Sequence, residues 1–379
     1  MKKFFTFLGI VVLAALAACQ TATPTTIPPT ATPTQAAQST TAPPTNAPAP
    51  TATIHIIPTE LVVVTHDSFA VSEDVLAEFQ NANHVKVQIL KSGDAGAALN
   101  KAILAGATNP LGDVFFGVDN TFLSRATKAD LFESYRAQGI DAIPSDYKRD
   151  TEFRLTPMDY GYVCMNYDKQ WFKEKNLVPP QTLDDLLKPE YKSLVVVENP
   201  ATSSPGLAFL LATVSHFGAD KYLDFWKQLR ANDVAVSEGW EDAYYNKSTW
   251  SGSGNRPIVV SYATSPAAEV FFSDGKLTEP PTGNVLGDGA CFLQIEFAGI
   301  FKNARHPDMA RRFIDFMLST RFQEDIPTQM FVYPVNPNAK LPDYYKFAEK
   351  PARPAQLDDA VIDANRDTWI KEWTQVVLR

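Results

Sequence analysis

The feature that most constrains the fold is an alternation of β-branched runs and amphipathic segments that begins near residue 61. Residues 61–65 (LVVVT) form a continuous apolar run, which is typical of a strand buried on both faces of a parallel sheet. The pattern after this run predicts, in chain order, a helix at 72–81, a strand at 85–90, a helix at 95–105, a strand at 113–116, a helix at 120–129, a strand at 193–197, helices at 205–217 and 221–231, a strand at 258–262, and helices at 306–319 and 358–378. Strands and helices at this spacing predict an α/β fold with a mainly parallel sheet.

The first residues carry a different pattern, which is typical of an export signal. Lys2 and Lys3 precede an apolar run at 4–18, and small residues lead to Cys19. The apolar run is shorter than the roughly 20 residues that span a bilayer, whereas a basic start and a small-residue cleavage site are usual in signal peptides. A cysteine at this site resembles the bacterial lipoprotein signal. We therefore expect residues 1–19 to be a signal peptide with a lipidated Cys19, with an ordinary secretory signal as the alternative.

Residues 20–59 form a segment without Lys, Arg, Asp or Glu, composed mostly of Thr, Pro, Ala and Gln. Such a composition cannot bury enough apolar surface to offset the entropy of ordering the chain, so we predict a disordered linker. Its prolines favour extended conformers, which suits a spacer, and a glycosylated stalk is the alternative that the sequence leaves open. Residues 60–379 exceed the usual size of a single core, so we expect two lobes.

The composition argues against a nucleic-acid partner and against catalysis. The formal net charge is −9, which fits a cationic ligand better than a polyanion. The sequence has no Gly-x-Ser-x-Gly elbow, Walker loop, His-Glu-x-x-His or Cys-x-x-Cys motif, and its five histidines are scattered. We therefore predict no catalytic residue and no metal ligand.

Two cysteines remain beyond the signal region, and their neighbours are apolar. They are Cys164 and Cys291. We interpret both as buried, unpaired small side chains. In an oxidising compartment, a disulfide between them is the alternative.

Aromatic residues and small hydroxyl residues cluster where predicted strands end and helices start. The segments are 65–69, 203–206, 239–245 and 262–266. Ligands of open α/β sheets bind outside the carboxyl ends of the strands, so these segments form the predicted site. Ser204 is the expected N-cap of its helix, where free N–H groups either bind a phosphate or hydroxyl oxygen or are simply capped. Trp240 and Tyr244 fall on one helical face, and aromatic faces with acids nearby suit a flat cationic ring.

Seven segments occur in the order in which thiamine-binding solute receptors carry them. They are residues 65–69, 117–120, 159–162, 203–207, 239–244, 261–266 and 333–335. From about residue 61 to residues 369–373 the chain resembles this family, the extracytoplasmic subunits of thiamine ABC importers. The resemblance implies an α/β, two-lobed periplasmic-binding-protein fold of type II with the ligand in the interlobe cleft. The implied lobes are approximately residues 60–159 with 267–335, and residues 160–266 with the C-terminal helices.

The resemblance also implies a set of ligand-binding residues. They are Asp94, Ala95, Ser203, Ser204, Trp240, Tyr262, Ala263, Thr264 and Ser265, with His66, Asp67, Tyr244 and Phe331 as further candidates. His66 stands where the family has Tyr, and Phe331 stands where Trp is usual. Trp240 and Tyr262 would supply π-faces, and Asp94 would supply a carboxylate for the positive charge or an amino group of the ligand.

The implied ligand is thiamine, thiamine monophosphate or thiamine diphosphate, with no cofactor. The implied partners are an ABC permease and its ATPase, which would receive the ligand from a monomeric receptor. This receptor would be lipid-anchored on the extracytoplasmic face of the cell envelope. A receptor of the same fold for ferric iron, a polyamine or a phosphonate is the main alternative, and Tyr244 and Tyr245 are the candidate iron ligands. An enzyme of thiamine salvage would need a nucleophile such as a cysteine.

Overall fold

The computed structural model describes residues 59–379. The expectations for the signal peptide, for Cys19 and for residues 20–58 lie outside the described residues. Within the described range, no helix is long and apolar enough to cross a membrane.

The described chain alternates strands and helices over most of its length. The strands are β1 (Thr59–Thr65), β2 (Val85–Lys91), β3 (Val114–Asp119), β4 (Thr156–Asp168), β5 (Val195–Glu198), β6 (Ala235–Ser237), β7 (Ile258–Tyr262), β8 (Thr282–Val285), β9 (Phe292–Ile300) and β10 (Tyr333–Pro334). The α-helices are α1 (Glu73–Asn83), α2 (Ala95–Ala105), α3 (Leu123–Lys128), α4 (Lys169–Lys175), α5 (Ser204–Phe217), α6 (Tyr222–Ala231), α7 (Ser265–Phe272), α8 (Pro307–Met317), α9 (Thr320–Gln323), α10 (Ile326–Gln329) and α11 (Asp359–Val377). A π-helical turn occupies Asp242–Lys247, and a 3₁₀ turn occupies Asp343–Phe347.

The elements predicted from the sequence are present, with small shifts at their ends. Helix α2 begins and ends at the predicted residues, and Thr59, expected to end the linker, is the first residue of β1. Helix α5 begins at Ser204, so Ser203 is its N-cap, and the expectation that Ser204 is the N-cap is off by one residue. The two longest strands of the described chain, β4 and β9, were not predicted.

One ten-stranded sheet organises these elements, with the main order β2-β1-β3-β9-β4-β7-β5-β6. The pairs at its two ends are parallel, as predicted: β1 with β2 and β3, and β5 with β6 and β7. The pairs in the middle are antiparallel. Strand β9 lies between β3 and β4 and pairs with both, and β4 also pairs with β7. The fold is therefore α/β as predicted, but the expectation of a mainly parallel sheet is wrong, because the antiparallel strands β4 and β9 join its two parallel parts. The lobe boundaries given above stay a prediction.

The core lies on both faces of the sheet. Successive side chains of a strand point to opposite faces, and Val63 and Val64 accordingly belong to two different apolar clusters. One cluster contains the edge-to-face pair of Phe79 and Phe313, whose ring centroids are 5.0 Å apart. The other cluster contains Trp226 against Trp373 of α11, at 5.5 Å. Burial of these aromatic side chains fixes α1, α6, α8 and α11 against the sheet.

A disulfide joins Cys164 and Cys291, so the interpretation of these residues as unpaired is wrong. Cys164 lies in β4, and Cys291 directly precedes β9. In the antiparallel ladder between these strands, Val163 pairs with Phe292, which places the two cysteines side by side with 4.3 Å between their Cα atoms. The sequence conceals this proximity, because the cysteines are 127 residues apart and no local signal shows that β4 pairs with β9.

Candidate functional site

A cavity of about 1000 Å³ lies where β1 and β7 end and where α2, α5 and α7 begin. His66 enters its wall directly after β1, Asp94 directly before α2, and Ser204 at the start of α5. Tyr262 and Ser265 contribute from the turn between β7 and α7. The site therefore forms at the carboxyl ends of parallel strands, where ligands of open α/β sheets bind.

The cavity brings together most of the site residues predicted from the sequence. Its wall contains His66, Asp67, Asp94, Ala95, Ser204, Trp240, Tyr244, Tyr262, Thr264, Ser265 and Phe331. Ser203 and Ala263 are fully buried and lie behind this wall. The wall also contains Gln294 and Glu296 of β9, which the sequence analysis missed. A usable signal was present, because two polar residues at i and i+2 in an otherwise apolar run indicate one polar face of a strand.

Asp94 is a junction between separate elements of the site. As the N-cap of α2, its Oδ1 accepts hydrogen bonds from the backbone N–H of Ala95 at 2.7 Å and from that of Ser204 at 3.1 Å. Its Oδ2 accepts a bond from the hydroxyl of Ser203 at 3.0 Å and from the backbone N–H of Trp240 at 2.9 Å. The carboxylate thus ties α2 to α5 and to the turn that carries Trp240.

These four bonds occupy the carboxylate that the sequence analysis assigned to the ligand. Burial raises the pKa of Asp94, although the hydrogen bonds from Trp240 and Ser204 oppose the shift. Two accepted bonds per oxygen use the lone-pair capacity of a carboxylate. In this structure, Asp94 therefore has no free lone pair for a ligand, and it instead holds Ser203, Ser204 and Trp240 in position.

The two serines at the start of α5 also donate to carboxylates. Ser203 donates to Asp94, and the hydroxyl of Ser204 donates to Oδ2 of Asp119. Glu198 at the end of β5 is 1% exposed, and burial together with the charge of Asp94 raises its pKa well above the usual range. The hydroxyl groups of both serines are therefore already bonded to protein carboxyl groups, which makes them less available to an anion than the sequence suggested.

An aromatic wall lines the cavity next to the start of α2. The indole of Trp240 stacks on Tyr244, with centroids 4.8 Å apart and planes inclined by 22°, and Tyr262 meets it edge-on at 6.2 Å. The indole N–H donates to Oγ of Ser261 at 2.8 Å, and the hydroxyl of Tyr244 donates to Glu269 at 2.5 Å. These bonds hold the rings in place before any ligand enters. The π-helical turn that carries Tyr244 is a feature often found at functional sites.

A row of three carboxyl groups crosses the sheet beside the cavity. Asp119 of β3, Glu296 of β9 and Asp159 of β4 are direct neighbours in the strand register, so their side chains share one face of the sheet. Asp119 is 0%, Asp159 1% and Glu296 8% exposed. His66 Nε2 lies 3.4 Å from Glu296 Oε1. We call these three residues the acid row.

Two carboxyl groups of the acid row have pKa values above those of ordinary carboxyl groups. Burial raises the pKa of Asp119 to about 7, against the hydrogen bonds from Thr121. Burial and the neighbouring charge of Glu296 raise the pKa of Asp159 well above its usual range. Burial alone would lower the pKa of His66, but the charge and the hydrogen bond of Glu296, together with the charge of Asp94, outweigh it and the net shift is upward. Glu296 is the member of the acid row that lines the cavity, and Asp119 behind it can change its protonation near neutral pH.

Phe331 closes the rim of the cavity. Its φ of 56° lies in the left-handed region, which residues other than glycine seldom adopt. Its ring lies 4.9 Å from that of Phe272 and 5.4 Å from that of Phe271, both at the end of α7. Phe272 is 64% exposed, so this aromatic contact stands at the border with solvent.

The part of the chain that the structure describes holds no group of three or more His, Cys, Asp or Glu side chains arranged to bind a metal ion. The candidate iron ligands Tyr244 and Tyr245 differ in environment. Tyr244 is buried and donates to Glu269, whereas Tyr245 is half exposed and meets Tyr244 edge-on at 5.2 Å. The arrangement is that of an aromatic wall.

Residues 109–356 match the family described as bacterial extracellular solute-binding protein. The chain belongs to this family. A Salmonella typhimurium relative named thiamine-binding periplasmic protein is 33% identical over 326 residues, which cover 84% of this chain and 94% of the relative. A solved structure described as periplasmic thiamin binding protein superposes with a TM-score of 0.75 at 30% identity, covering 86% of this chain and 98% of that one.

The fold expectation is confirmed by the same comparisons. Iron-bound HitA from Pseudomonas aeruginosa superposes with a TM-score of 0.67 and covers 83% of this chain and 99% of its own, but at 19% identity it shows the fold alone. Together with the mixed sheet, these matches establish the two-lobed periplasmic-binding-protein fold of type II. Solute binding is the role of this family.

Proposed function

We propose that this protein captures thiamine or a thiamine phosphate outside the cytoplasm and delivers it to an ABC permease with its ATPase. The single observation that carries the proposal is the pairing of a fixed aromatic wall with buried acids across one cavity. Trp240 and Tyr262 supply the π-faces, and Glu296 of the acid row supplies a carboxyl group on the cavity wall. The relatives named for thiamine binding support the same choice of ligand.

The chemistry of thiamine matches these two walls. Its thiazolium ring is flat and permanently cationic, so it is attracted both to aromatic faces and to carboxylates. Its aminopyrimidine ring offers donors and acceptors that Gln294, Thr264 and Ser265 can meet. A cavity of about 1000 Å³ is at the upper end of the range usual for small-molecule sites. The cavity therefore leaves room for a tail that carries phosphate.

Other ligands of this fold fit the cavity less well. Ferric iron prefers several anionic oxygen ligands, but the Tyr244 hydroxyl already donates to Glu269. A polyamine has no flat ring to stack on Trp240. A phosphonate is an anion, and at the start of α5 it would meet serine hydroxyls that already donate to Asp94 and Asp119. A cationic aromatic ligand is the class that these contacts favour.

The remaining parts of the proposal concern where the protein works. We propose that it is a monomer without enzymatic activity, held to the extracytoplasmic face of the cell envelope by lipid on Cys19. Residues 20–58 would then serve as a spacer between the membrane and the solute-binding domain. Cys19→Ala should move the protein into the detergent-free soluble fraction or block its processing. An unchanged partition into the detergent phase would contradict the lipid anchor.

Fluorescence titration tests the choice of ligand. Purified protein is titrated with thiamine, its two phosphates, ferric citrate, spermidine and 2-aminoethylphosphonate, while tryptophan emission is recorded. We expect thiamine or one of its phosphates to quench emission with a submicromolar dissociation constant, about −8 kcal/mol or more favourable. Tight binding of iron, spermidine or the phosphonate without any response to thiamine forms would overturn the proposal.

A further inference from the structure

The acids around the cavity differ in how their oxygens are occupied. Asp94 accepts four hydrogen bonds from the protein, and Glu269 accepts one from Tyr244 and one from the hydroxyl of Thr282 at 2.5 Å. Asp159 differs from these two acids, because among the described residues neither of its carboxyl oxygens receives a hydrogen bond from a donor, as is also true of Glu198 at the end of β5. Its neighbour in the strand register is Glu296, another carboxyl group.

Two adjacent carboxyl groups at this degree of burial cannot both be ionised at little cost. Asp159 is 1% and Glu296 8% exposed, so water screens their repulsion poorly. One shared proton removes the repulsion and turns the contact into a hydrogen bond between an acid and a carboxylate. The elevated pKa of Asp159 agrees with this arrangement.

Glu296 is the member of this pair that reaches the cavity wall, beside Gln294, Tyr262 and His66. Gln294 accepts the hydroxyl of Tyr262 at 3.2 Å, which aligns the aromatic wall with the acid row. A cation that stacks on Tyr262 therefore comes close to Glu296. With Asp94 occupied, Glu296 is the carboxylate best placed to meet it.

We propose that Glu296 is the specificity-determining residue that recognises the positive charge of the ligand, and that the proton it shares with Asp159 leaves for solvent when the cation binds. This inference rests on the proposed function, because the thiazolium ring supplies the cation. When the ligand binds, its positive charge therefore replaces the positive charge of a proton at the carboxyl pair. Uncharged ligands cannot drive that exchange, so the pair selects for cations.

Several other groups face the pair and could take part in the exchange. His66 after β1, Asp119 of β3 and Tyr262 of β7 interact with Glu296, and Tyr345 of the 3₁₀ turn interacts with Asp159. Lys91 and Asp94 lie next to His66, and Tyr160, Tyr333 and Tyr344 lie next to Tyr345. A protonated His66 repels a cation, so its loss of a proton would also strengthen binding as pH rises. The tyrosine hydroxyls stay protonated in the neutral range, because burial raises the pKa values of Tyr262 and Tyr345. The experiment must therefore separate the carboxyl pair from His66.

Calorimetry of free thiamine with the full-length mature protein makes this separation. The titration is run at one pH in two buffers of different ionisation enthalpy, which gives the number of protons released on binding. We expect proton release by the wild type, and affinity that rises with pH. Free thiamine serves as the probe because its thiazolium charge does not change with pH. No proton release, or affinity that falls with rising pH, would overturn the inference.

Three substitutions assign the released proton. Asp159→Asn leaves Glu296 charged and gives it an amide donor, so affinity should be retained while proton release falls. Glu296→Gln should weaken thiamine binding about tenfold or more, because the carboxylate itself is lost. His66→Gln should keep most of the proton release. Proton release that survives Asp159→Asn but disappears in His66→Gln would overturn the assignment to the carboxyl pair.

Glu60→Gln is the matched control for net charge, since Glu60 is exposed on β1 and paired only with Lys86 at 3.3 Å. It should bind thiamine like the wild type. If Glu296→Gln also binds within about threefold of the wild type, the recognition role is wrong while the proposed function stands. If the wild type itself binds no thiamine, the proposed function fails and this inference fails with it. Far-ultraviolet circular dichroism confirms that each variant is folded.

Discussion

The disulfide between Cys164 and Cys291 should be a major contributor to stability. It closes a loop with a sequence separation of 127 residues. In the chain-entropy description, cross-linking a loop of this length removes about 5 kcal/mol of conformational freedom from the unfolded chain, and measured disulfides deliver about 2 to 5 kcal/mol. Both cysteines are fully buried, and the bond fastens β4 to the start of β9. Reduction should therefore lower the free energy of unfolding by an amount in this range.

Urea unfolding followed by tryptophan emission measures that change. Three samples are compared in a Cys19→Ser background, which prevents cross-linking through the first cysteine: oxidised protein, reduced protein, and the double variant Cys164→Ala/Cys291→Ala. The reduced sample keeps both side chains, so it separates the cross-link from any packing defect in the double variant. We expect both altered samples to unfold at clearly lower urea concentrations. Identical curves for oxidised and reduced protein would refute the reasoning.

Three further predictions follow from the contacts of the site. Trp240→Ala should weaken thiamine binding by about 2 kcal/mol, as for a buried aromatic anchor. Trp171→Phe is the control, because Trp171 lies outside the cavity wall and its replacement should leave binding unchanged. An equal loss of binding free energy in both variants, measured by calorimetry, would contradict the stacking role. Asp94→Asn should lower the free energy of unfolding by about 2 kcal/mol, because an amide group replaces an oxygen that accepts two hydrogen bonds. An unchanged urea midpoint would show that the hydrogen bonds to Asp94 do not stabilise the fold. Burial raises the pKa values of Asp119 and Glu269 to about 7, so the folded protein holds protons that the unfolded chain releases. Stability without ligand should therefore fall as pH rises from about 4 to about 7, and urea midpoints that rise across this range would contradict the account.

The parallel parts of the sheet could be predicted from the sequence because their signals are local. The run at 61–65 is apolar on both faces, and α2 is bounded by an N-capping acid at Asp94 and by Gly106. The site could be located for the same reason, since its hydroxyl and aromatic residues follow strand ends directly along the chain. Of the residues expected to bind ligand, Ser203 and Ala263 fall behind the cavity wall, because both are turned into the core at the start of their helices.

The antiparallel centre of the sheet could not be predicted in the same way. A bulge between Pro157 and Asp159 interrupts the alternation of β4, and another irregularity lies between Phe116 and Val118 on β3. The acid row depends on register between three strands that are far apart in sequence, as the disulfide does. The occupation of Asp94 is likewise a tertiary property, because two of its four donors come from backbone N–H groups more than 100 residues away.

The central claim is that this cavity binds a thiamine-type cation, and a calorimetric titration of the purified mature protein with thiamine tests it most directly. The account predicts saturable binding of one thiamine per chain with a dissociation constant below about 1 μM, which corresponds to about −8 kcal/mol. Competition by thiamine monophosphate in the same titration would show whether the phosphate tail is accommodated. Absence of saturable heat with thiamine and with both of its phosphates, from protein whose circular dichroism shows it to be folded, would contradict the account.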